Sequence, residues 1–294
     1  MILVTGGTGY VGSRLVQTLV EQGRAVRLLV RDEAAGRRAF PTGVTFARGD
    51  VTEPATLAAA LKGVDTVIHL VAIIRERGGA TFETVNYQGT VNIVDAERAA
   101  GVRRHLQMSA LGVLRDPSFP YHDTKYRAEQ HVKASGLDWT IFRPSIIFGP
   151  GDQFFSTLAS LAKLPAPFVL PDGGTARFQP VWRDDVADAF IAALDDPATI
   201  GQTYELGGPD VLSYKEMVGI LMDVTGRHRP LLPVPAVLLK PAAFVFDKLL
   251  PKPPVTPEQL KMLRLDNSST HSATATLTGR PPQPLRDGLG YLSG

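Results

Sequence analysis

The chain has 294 residues, 44% hydrophobic and 20% charged, with 31 Lys and Arg against 29 Asp and Glu and no cysteine. That composition suits a folded chain with a sizeable core rather than a disordered one. The missing cysteines exclude disulfides, thiolate metal sites, iron–sulfur ligation and cysteine nucleophiles, and the near-balanced charge leaves no electrostatic footprint for nucleic acid.

From the N-terminus, short β-branched runs alternate with helical patterns. Met1–Thr5, Ala25–Val30, Val44–Ala47, Val64–Ala72, His105–Ser109 and Trp139–Arg143 read as buried strands. The first helix is marked by Val11, Leu15, Val16, Leu19 and Val20 on one face, with Gly23 where a helix stop belongs. Ala55–Leu61, Phe82–Ala100 and Tyr121–Ala134 also read as helices, with Gly63, Gly101 and Gly136 near their ends. Strand–helix alternation of this kind predicts an α/β fold, a doubly wound parallel sheet with right-handed crossovers and helices on both faces. Met1-Ile2-Leu3-Val4 runs into a glycine turn without a basic leader, so no signal peptide and a cytoplasmic location are expected.

After about Pro144 the rhythm changes and glycine and proline cluster, as in Gly149-Pro150-Gly151 and Asp172-Gly173-Gly174. A helix is expected from Asp184 to Leu194, a strand over Thr203–Leu206 and a helix over Tyr214–Val224. The expected division is a cofactor domain over residues 1–145 and a smaller, irregular substrate lobe over 146–294, interleaved with the main sheet. Residues 236–250 are apolar with lysines at the edges. They read as a lid or core helix, or as an interfacial helix that docks on a membrane or a membrane-bound partner. No run reaches the roughly 20 apolar residues of a membrane-spanning helix. Asp266–Thr278, dense in Ser and Thr, reads as a polar surface loop.

The motifs concentrate in the first half. Thr5-Gly6-Gly7-Thr8-Gly9-Tyr10-Val11-Gly12 follows the first strand and opens the first helix. Gly6 permits a tight turn, Gly9 lets backbone approach a pyrophosphate, and Gly12 allows helix and sheet to pack closely. The amides of Thr8, Gly9, Tyr10 and Val11 then face the phosphates at the positive end of the helix. The second strand ends in Arg31-Asp32. Arg31 can clamp a 2′-phosphate, which favours NADP(H) over NAD(H); as a plain surface residue it would pair with Asp32 or Glu33. At the third strand's end, Asp50 and Val51 reach the adenine, with Asp50 equally suited to start a helix. Leu70, Val71 and Ala72 end the fourth strand at the carboxyl edge, where ligands of open α/β sheets collect.

Tyr121-His122-Asp123-Thr124-Lys125 puts a phenol and an ammonium one helical turn apart. A nearby lysine cation lowers a phenol's pKa, so the pair can pass a proton to or from a carbonyl or alcohol oxygen. The six histidines show no paired-ligand spacing, so no metal site is expected. Adjacent Asp184 and Asp185 point apart on a helix and read as a cap.

Together with Asn86-Tyr87-Gln88-Gly89-Thr90, Arg143-Pro144-Ser145-Ile146-Ile147-Phe148-Gly149, Val181-Trp182-Arg183-Asp184-Asp185 and Glu205-Leu206-Gly207-Gly208, these motifs resemble an extended or atypical short-chain dehydrogenase/reductase along nearly the whole chain. The most similar branch holds the NAD(P)H-binding accessory subunit of complex I and its bacterial relatives, with weaker similarity to NmrA-like proteins. The resemblance implies a Rossmann domain, hydride transfer at a nicotinamide, Tyr121 as acid/base with Lys125 as helper, and cofactor contacts extending to Pro144 and Ile147. It departs from the family at the fifth-strand tip, where Ser109 is present but Leu111 occupies the place of the active serine. The expected activity is an NAD(P)(H)-dependent oxidoreductase on a small carbonyl, alcohol or quinone-like substrate. The alternative is a non-catalytic NADPH-binding accessory protein of a respiratory or quinone-linked assembly. A nucleotide-sugar epimerase or dehydratase is disfavoured by Leu111.

Overall fold

The computed structural model describes residues 1–250 and 255–293. The strands of the first half are β1 (Ile2–Thr5), β2 (Val26–Val30), β3 (Val44–Arg48), β4 (Thr66–His69), β5 (Arg104–Met108) and β6 (Asp138–Pro144). Those of the second half are β7 (Ile147–Phe148), β8 (Phe168–Pro171), β9 (Arg177–Phe178), β10 (Val181–Trp182), β11 (Gln202–Leu206), β12 (Leu212–Ser213) and β13 (Leu231–Val234). The first six pair in parallel, and with β11 they form one sheet in the order β11-β6-β5-β4-β1-β2-β3. This is the doubly wound Rossmann arrangement. Strand order reverses between β1 and β4, where Thr5 is in register with His69, and a ligand crevice forms beyond the carboxyl ends at such a reversal.

Helices α1 (Tyr10–Glu21), α2 (Glu33–Ala39), α3 (Leu57–Ala60), α4 (Gly89–Ala100) and α5 (Pro120–Ala134) follow successive strands, and a π-helical segment, Phe82–Gln88, leads directly into α4. Alternation along each strand sorts side chains between the faces. Leu3, Leu29, Val67 and Ile141 join Leu57, Leu61, Ile93, Val94 and Val132 of α3, α4 and α5 in one core. Val4 and Leu28 point the other way, beside Val16 of α1, so tightly that a Cβ on Gly7 would come within 2.7 Å of Leu28.

The sequence pattern misses α2, because Glu33-Ala34-Ala35-Gly36-Arg37-Arg38-Ala39 carries no apolar stripe. It is held by local polar chemistry instead. Asp32 accepts from the Ala35 amide at 3.1 Å, Glu33 pairs with Arg37 one turn on, and Gly36 lets the backbone lie against Phe46.

The remaining helices are α6 (Phe154–Ala162), α7 (Arg183–Asp195), α8 (Tyr214–Thr225), α9 (Ala236–Leu249), α10 (Pro257–Met262), α11 (Thr274–Thr278) and α12 (Leu285–Gly288). The chain divides into two units, one of Met1–Arg143 with Val186–Tyr204, the other of Pro144–Asp185 with Glu205–Gly294. The second unit has its own core, with Phe148, Phe155, Leu158, Phe168 and Phe178 packed among Met217, Leu221, Leu285 and Leu289.

Two expectations for this half change, and one residue gains a role. The Ser/Thr-rich stretch is stitched down rather than a free surface loop: Thr274 and Ser272 donate to the Gly207 carbonyl, and Ser269 donates to Glu205. Hydroxyls there satisfy backbone groups of a glycine turn that has no side chains of its own. Asp185, in the first turn of α7, has a further part: its fully buried carboxylate pairs with Arg280 and accepts from the Gln283 amide. Finally, α9 is not a core helix, since only Ala236 and Ala243 on it are buried. No helix of the described residues is long and apolar enough to cross a membrane.

Candidate functional site

The glycine turn is built by sterics. Gly6 sits at φ +73°, a left-handed conformation that costs glycine nothing. The Gly9 amide then donates back to the Gly6 carbonyl at 2.9 Å. A Cβ on Gly12 would overlap that same carbonyl oxygen and lie 2.8 Å from the Gly7 Cα. Gly9 caps α1 without a side-chain hydrogen bond, and the first turn carries no acid. No side chain therefore caps the start of α1, the end of a helix at which anions are held. Thr8 and Gly9 are exposed, Tyr10 is half-buried and Val11 is buried against the sheet.

Around this turn stand the other strand tips. The Leu70 amide donates to the Thr5 carbonyl at 3.1 Å, and Gly6 lies against the Leu70–Val71 peptide, while Ala72 is exposed. Arg31 is exposed and makes no hydrogen bond or ion pair among the described residues. The two acids beside it are occupied, Asp32 as the α2 cap and Glu33 by Arg37. Asp50 uses Oδ1 to accept from both the amide and the hydroxyl of Thr52 at 2.9 Å. Its Oδ2 makes no hydrogen bond among the described residues, so the turn-forming and adenine-facing readings are compatible. Buried Val51 packs on Gly89.

At the tip of β5 the chemistry gathers. The Ser109 amide extends the β5–β6 ladder to the Phe142 carbonyl at 2.7 Å, and the buried Ser109 Oγ has no hydrogen-bond partner among the described residues. Lys125 Nζ donates to the Met108 carbonyl at 3.0 Å and lies 6.0 Å from the centre of the Tyr121 ring. Ser109, Tyr121 and Lys125 are thus brought to one corner. Leu111 is buried in the same segment and offers no hydroxyl.

Burial reverses the electrostatic expectation for this pair. The Tyr121 phenol is pushed up to about 12 by desolvation, and its oxygen makes no hydrogen bond among the described residues. Burial pulls the Lys125 ammonium down to about 8, against an opposing pull from Glu129. The reason is that Lys125 directs its charge at a backbone carbonyl, while both groups sit in a dry corner that penalises any net charge.

Several supporting residues were not anticipated. His122 is buried, its Nδ1 without a hydrogen-bond partner among the described residues, and burial followed by the Lys125 charge pulls it down to about 4, so it is neutral. Its signal was its place inside the Tyr–Lys motif. Phe82 meets the Tyr121 ring edge-on at 5.7 Å, and Arg127 clamps the π-helical segment to α5 by pairing with Glu83 and stacking on Tyr87. Asn86, which the sequence did single out within Asn86-Tyr87-Gln88-Gly89-Thr90, holds the loop after β4 by exchanging hydrogen bonds with the Ile73 amide and carbonyl. Beneath it, Thr90 donates to the Asn86 carbonyl and contacts His69 Nε2, whose Nδ1 contacts Thr5 Oγ1 at 2.6 Å. A second buried pair, Glu97 with His105, continues to Gln107 on β5. Glu129 receives both arms of Arg143, tying α5 to β6.

Pro144 and Ile147 fall in the second unit, Pro144 buried at the end of β6 and Ile147 paired with Val181. No group of three or more His, Asp or Glu with metal-binding geometry occurs among the described residues. The donors and shapes here fit a dinucleotide. A turn with no room for a Cβ at Gly7 or Gly12 opens α1, and a hydroxyl and a lysine lie two strands away.

A family model described as NAD(P)H-binding matches residues 6–197. The chain is 32% identical over 231 residues to the NAD(P)H azoreductase of Xenophilus azovorans, across 77% of this chain and 74% of that protein. It is 30% identical over 270 residues to the mitochondrial NADH dehydrogenase (ubiquinone) 1 alpha subcomplex subunit 9 of Arabidopsis thaliana, across 90% of this chain and 67% of that one. Among solved structures, the NADPH-dependent quinone oxidoreductase of Escherichia coli shares the fold, with a TM-score of 0.81 at 20% identity over 100% of both chains.

Proposed function

The chain belongs to the NAD(P)H-binding family, of the extended short-chain dehydrogenase/reductase type, and on that premise we propose that it is an NADPH-dependent reductase of a small carbonyl or quinone-like substrate. The observation that carries this reading is the corner of Ser109, Tyr121 and Lys125, with an unpartnered hydroxyl, an unpartnered phenol and a weakly basic lysine in a dry setting.

A bound nicotinamide supplies the hydride. The chain's own residues position the substrate oxygen and furnish the proton. A phenol at about 12 keeps its proton at neutral pH, so Tyr121 enters the reaction as a donor. The alkoxide that develops from a carbonyl substrate is more basic than that phenolate, so transfer from Tyr121 to it runs downhill. The reverse task, taking a proton from an alcohol, is uphill for the same phenol. At neutral pH the phenol thus holds the proton that reduction consumes. Ser109 Oγ donates to the substrate oxygen as charge builds there, and Lys125 holds the cofactor ribose. The glycine turn and α1 amides take the pyrophosphate, Arg31 the 2′-phosphate, and Asp50 the adenine amino group.

The test is NADPH oxidation with a panel of quinones, azo compounds, enones and aldehydes. The expected result is turnover on at least one, reduced roughly 100- to 10,000-fold by Tyr121→Phe with NADPH affinity retained. Tight NADPH binding with no turnover on any member would instead support a second reading, a non-catalytic accessory protein of a respiratory or quinone-linked assembly. That reading draws on the similarity to the plant NADH dehydrogenase subunit. The exposed apolar surface of α9 favours its peripheral contact with a membrane or a membrane-bound partner through residues 236–250.

A further inference from the structure

We propose that the outward face of α9 docks flat on an anionic lipid bilayer. An ordinary surface helix turns its apolar stripe to the core and its polar side to water, and α9 is built the other way round. The residues it turns inward are small or partly polar: Ala236 and Ala243 are buried, Leu239 and Asp247 half-buried. The opposite face, at helical spacing, carries Val237, Leu238, Phe244, Val245 and Leu249, exposed by 62, 67, 57, 47 and 74%. Isolated exposed apolar side chains are ordinary, but five on one face of a 14-residue helix form a patch that calls for a partner. The strands that lead into the helix add to the exposed apolar surface, since Val169 of β8 and Leu232 of β13 are register partners and both exposed.

The orientation of α9 is fixed from below. Asp172 Oδ1 accepts from the Ala236 amide at 2.8 Å, giving the helix a cap that its own Pro235 cannot supply. The other Asp172 oxygen pairs with Arg264 at 2.9 Å.

Charge selects the occupant. Lys240 and Lys248 are exposed, and Lys248 Nζ stands 5.6 Å from the Phe244 ring centre. The one acid on the helix, Asp247, has a carboxylate oxygen buried from water. A two-fold contact between copies would set this cationic patch against itself, whereas anionic headgroups complement it while the aliphatic and aromatic side chains enter the acyl boundary. Fourteen residues span about 21 Å as a helix, too short for the roughly 30 Å hydrocarbon core, so the helix lies in the interface instead of crossing it.

The inference rests on the peripheral-contact part of the second reading and on nothing catalytic, so an active reductase that ignores lipid sinks this inference alone. The experiment is flotation of the full chain with phosphatidylcholine vesicles, with and without phosphatidylglycerol, over a range of salt. Binding is expected to the anionic vesicles, weakened by salt and by about fivefold for each of Lys240→Ala and Lys248→Ala. Leu238→Glu with Phe244→Glu is expected to abolish it, with the thermal transition unchanged because both side chains are exposed. No flotation with either vesicle, or flotation untouched by the double substitution, overturns the proposal. So does a dimer in solution that the double substitution turns into monomer while vesicles bind neither form, which assigns the face to a second copy.

Discussion

At the scale of single residues, the site is distinguished by groups held in costly states. Lys125 is buried, and its folded pKa of about 8 lies below the ordinary 10.5. A lysine shifted down destabilises the fold wherever the unfolded chain carries the extra proton. The stability it contributes is present above about 10.5 and is lost as pH falls through about 8. Lys125→Met should therefore raise stability near neutral pH by roughly 3 kcal/mol, with the gain vanishing above about 10.5, while NADPH binding falls. Denaturant titrations across that pH range, paired with cofactor titrations, test both halves. A loss of stability at neutral pH would show that the lysine is structural. Arg31 gives a separate test of cofactor choice. Its two acidic neighbours are already engaged, so its charge is spare for a phosphate. Arg31→Ala should raise the NADPH Kd roughly 10- to 100-fold and leave the NADH Kd nearly unchanged. An unaltered ratio of the two would remove the preference for NADPH.

At the scale of elements, the site depends on where helices begin. The α1 terminus works because three glycines bring backbone to backbone, and Gly12 is the least replaceable of them. Gly12→Ala should cost roughly 1–3 kcal/mol through overpacking and abolish cofactor binding, since the Gly6 carbonyl must move and the turn opens with it. Calorimetry of the variant with and without NADPH reads both effects, and wild-type affinity would rule out this turn as the phosphate site. The start of α5 is a different construction. A π-helical segment, uncommon in itself and frequent at functional sites, brings Phe82 onto Tyr121, and the Arg127–Glu83 and Glu129–Arg143 pairs hold α5 on either side. Phe82–Ala100 reads from its apolar spacing as one continuous helix, because a π segment alters the hydrogen-bond register without disturbing the composition. The α2 helix was invisible for the opposite reason: its stabilisation is a cap and an ion pair, which leave no hydrophobic period.

At the scale of the whole molecule, a ligand that binds only the folded chain adds its binding free energy to stability. NADPH at a hundred times its Kd should contribute about 2.7 kcal/mol and raise the melting temperature by several degrees. Differential scanning calorimetry with NADPH and NADH tests this, and no shift with either would contradict a folded dinucleotide site. The sequence by itself determined the strand order's raw material, the glycine turn and the Tyr121–Lys125 spacing, because β-branched runs, glycine sterics and helical periodicity are local and survive being read one residue after another. Only the tertiary structure decided that Ser109 Oγ and His122 Nδ1 lack partners among the described residues, that desolvation outweighs the lysine charge at Tyr121, and that α9 turns its apolar side outward. Each of these depends on which groups share a space. Burial and pairing are properties of neighbours far apart in the chain, as when Thr5 meets His69 across two strands or Asp172 caps Ala236, and no local pattern records them.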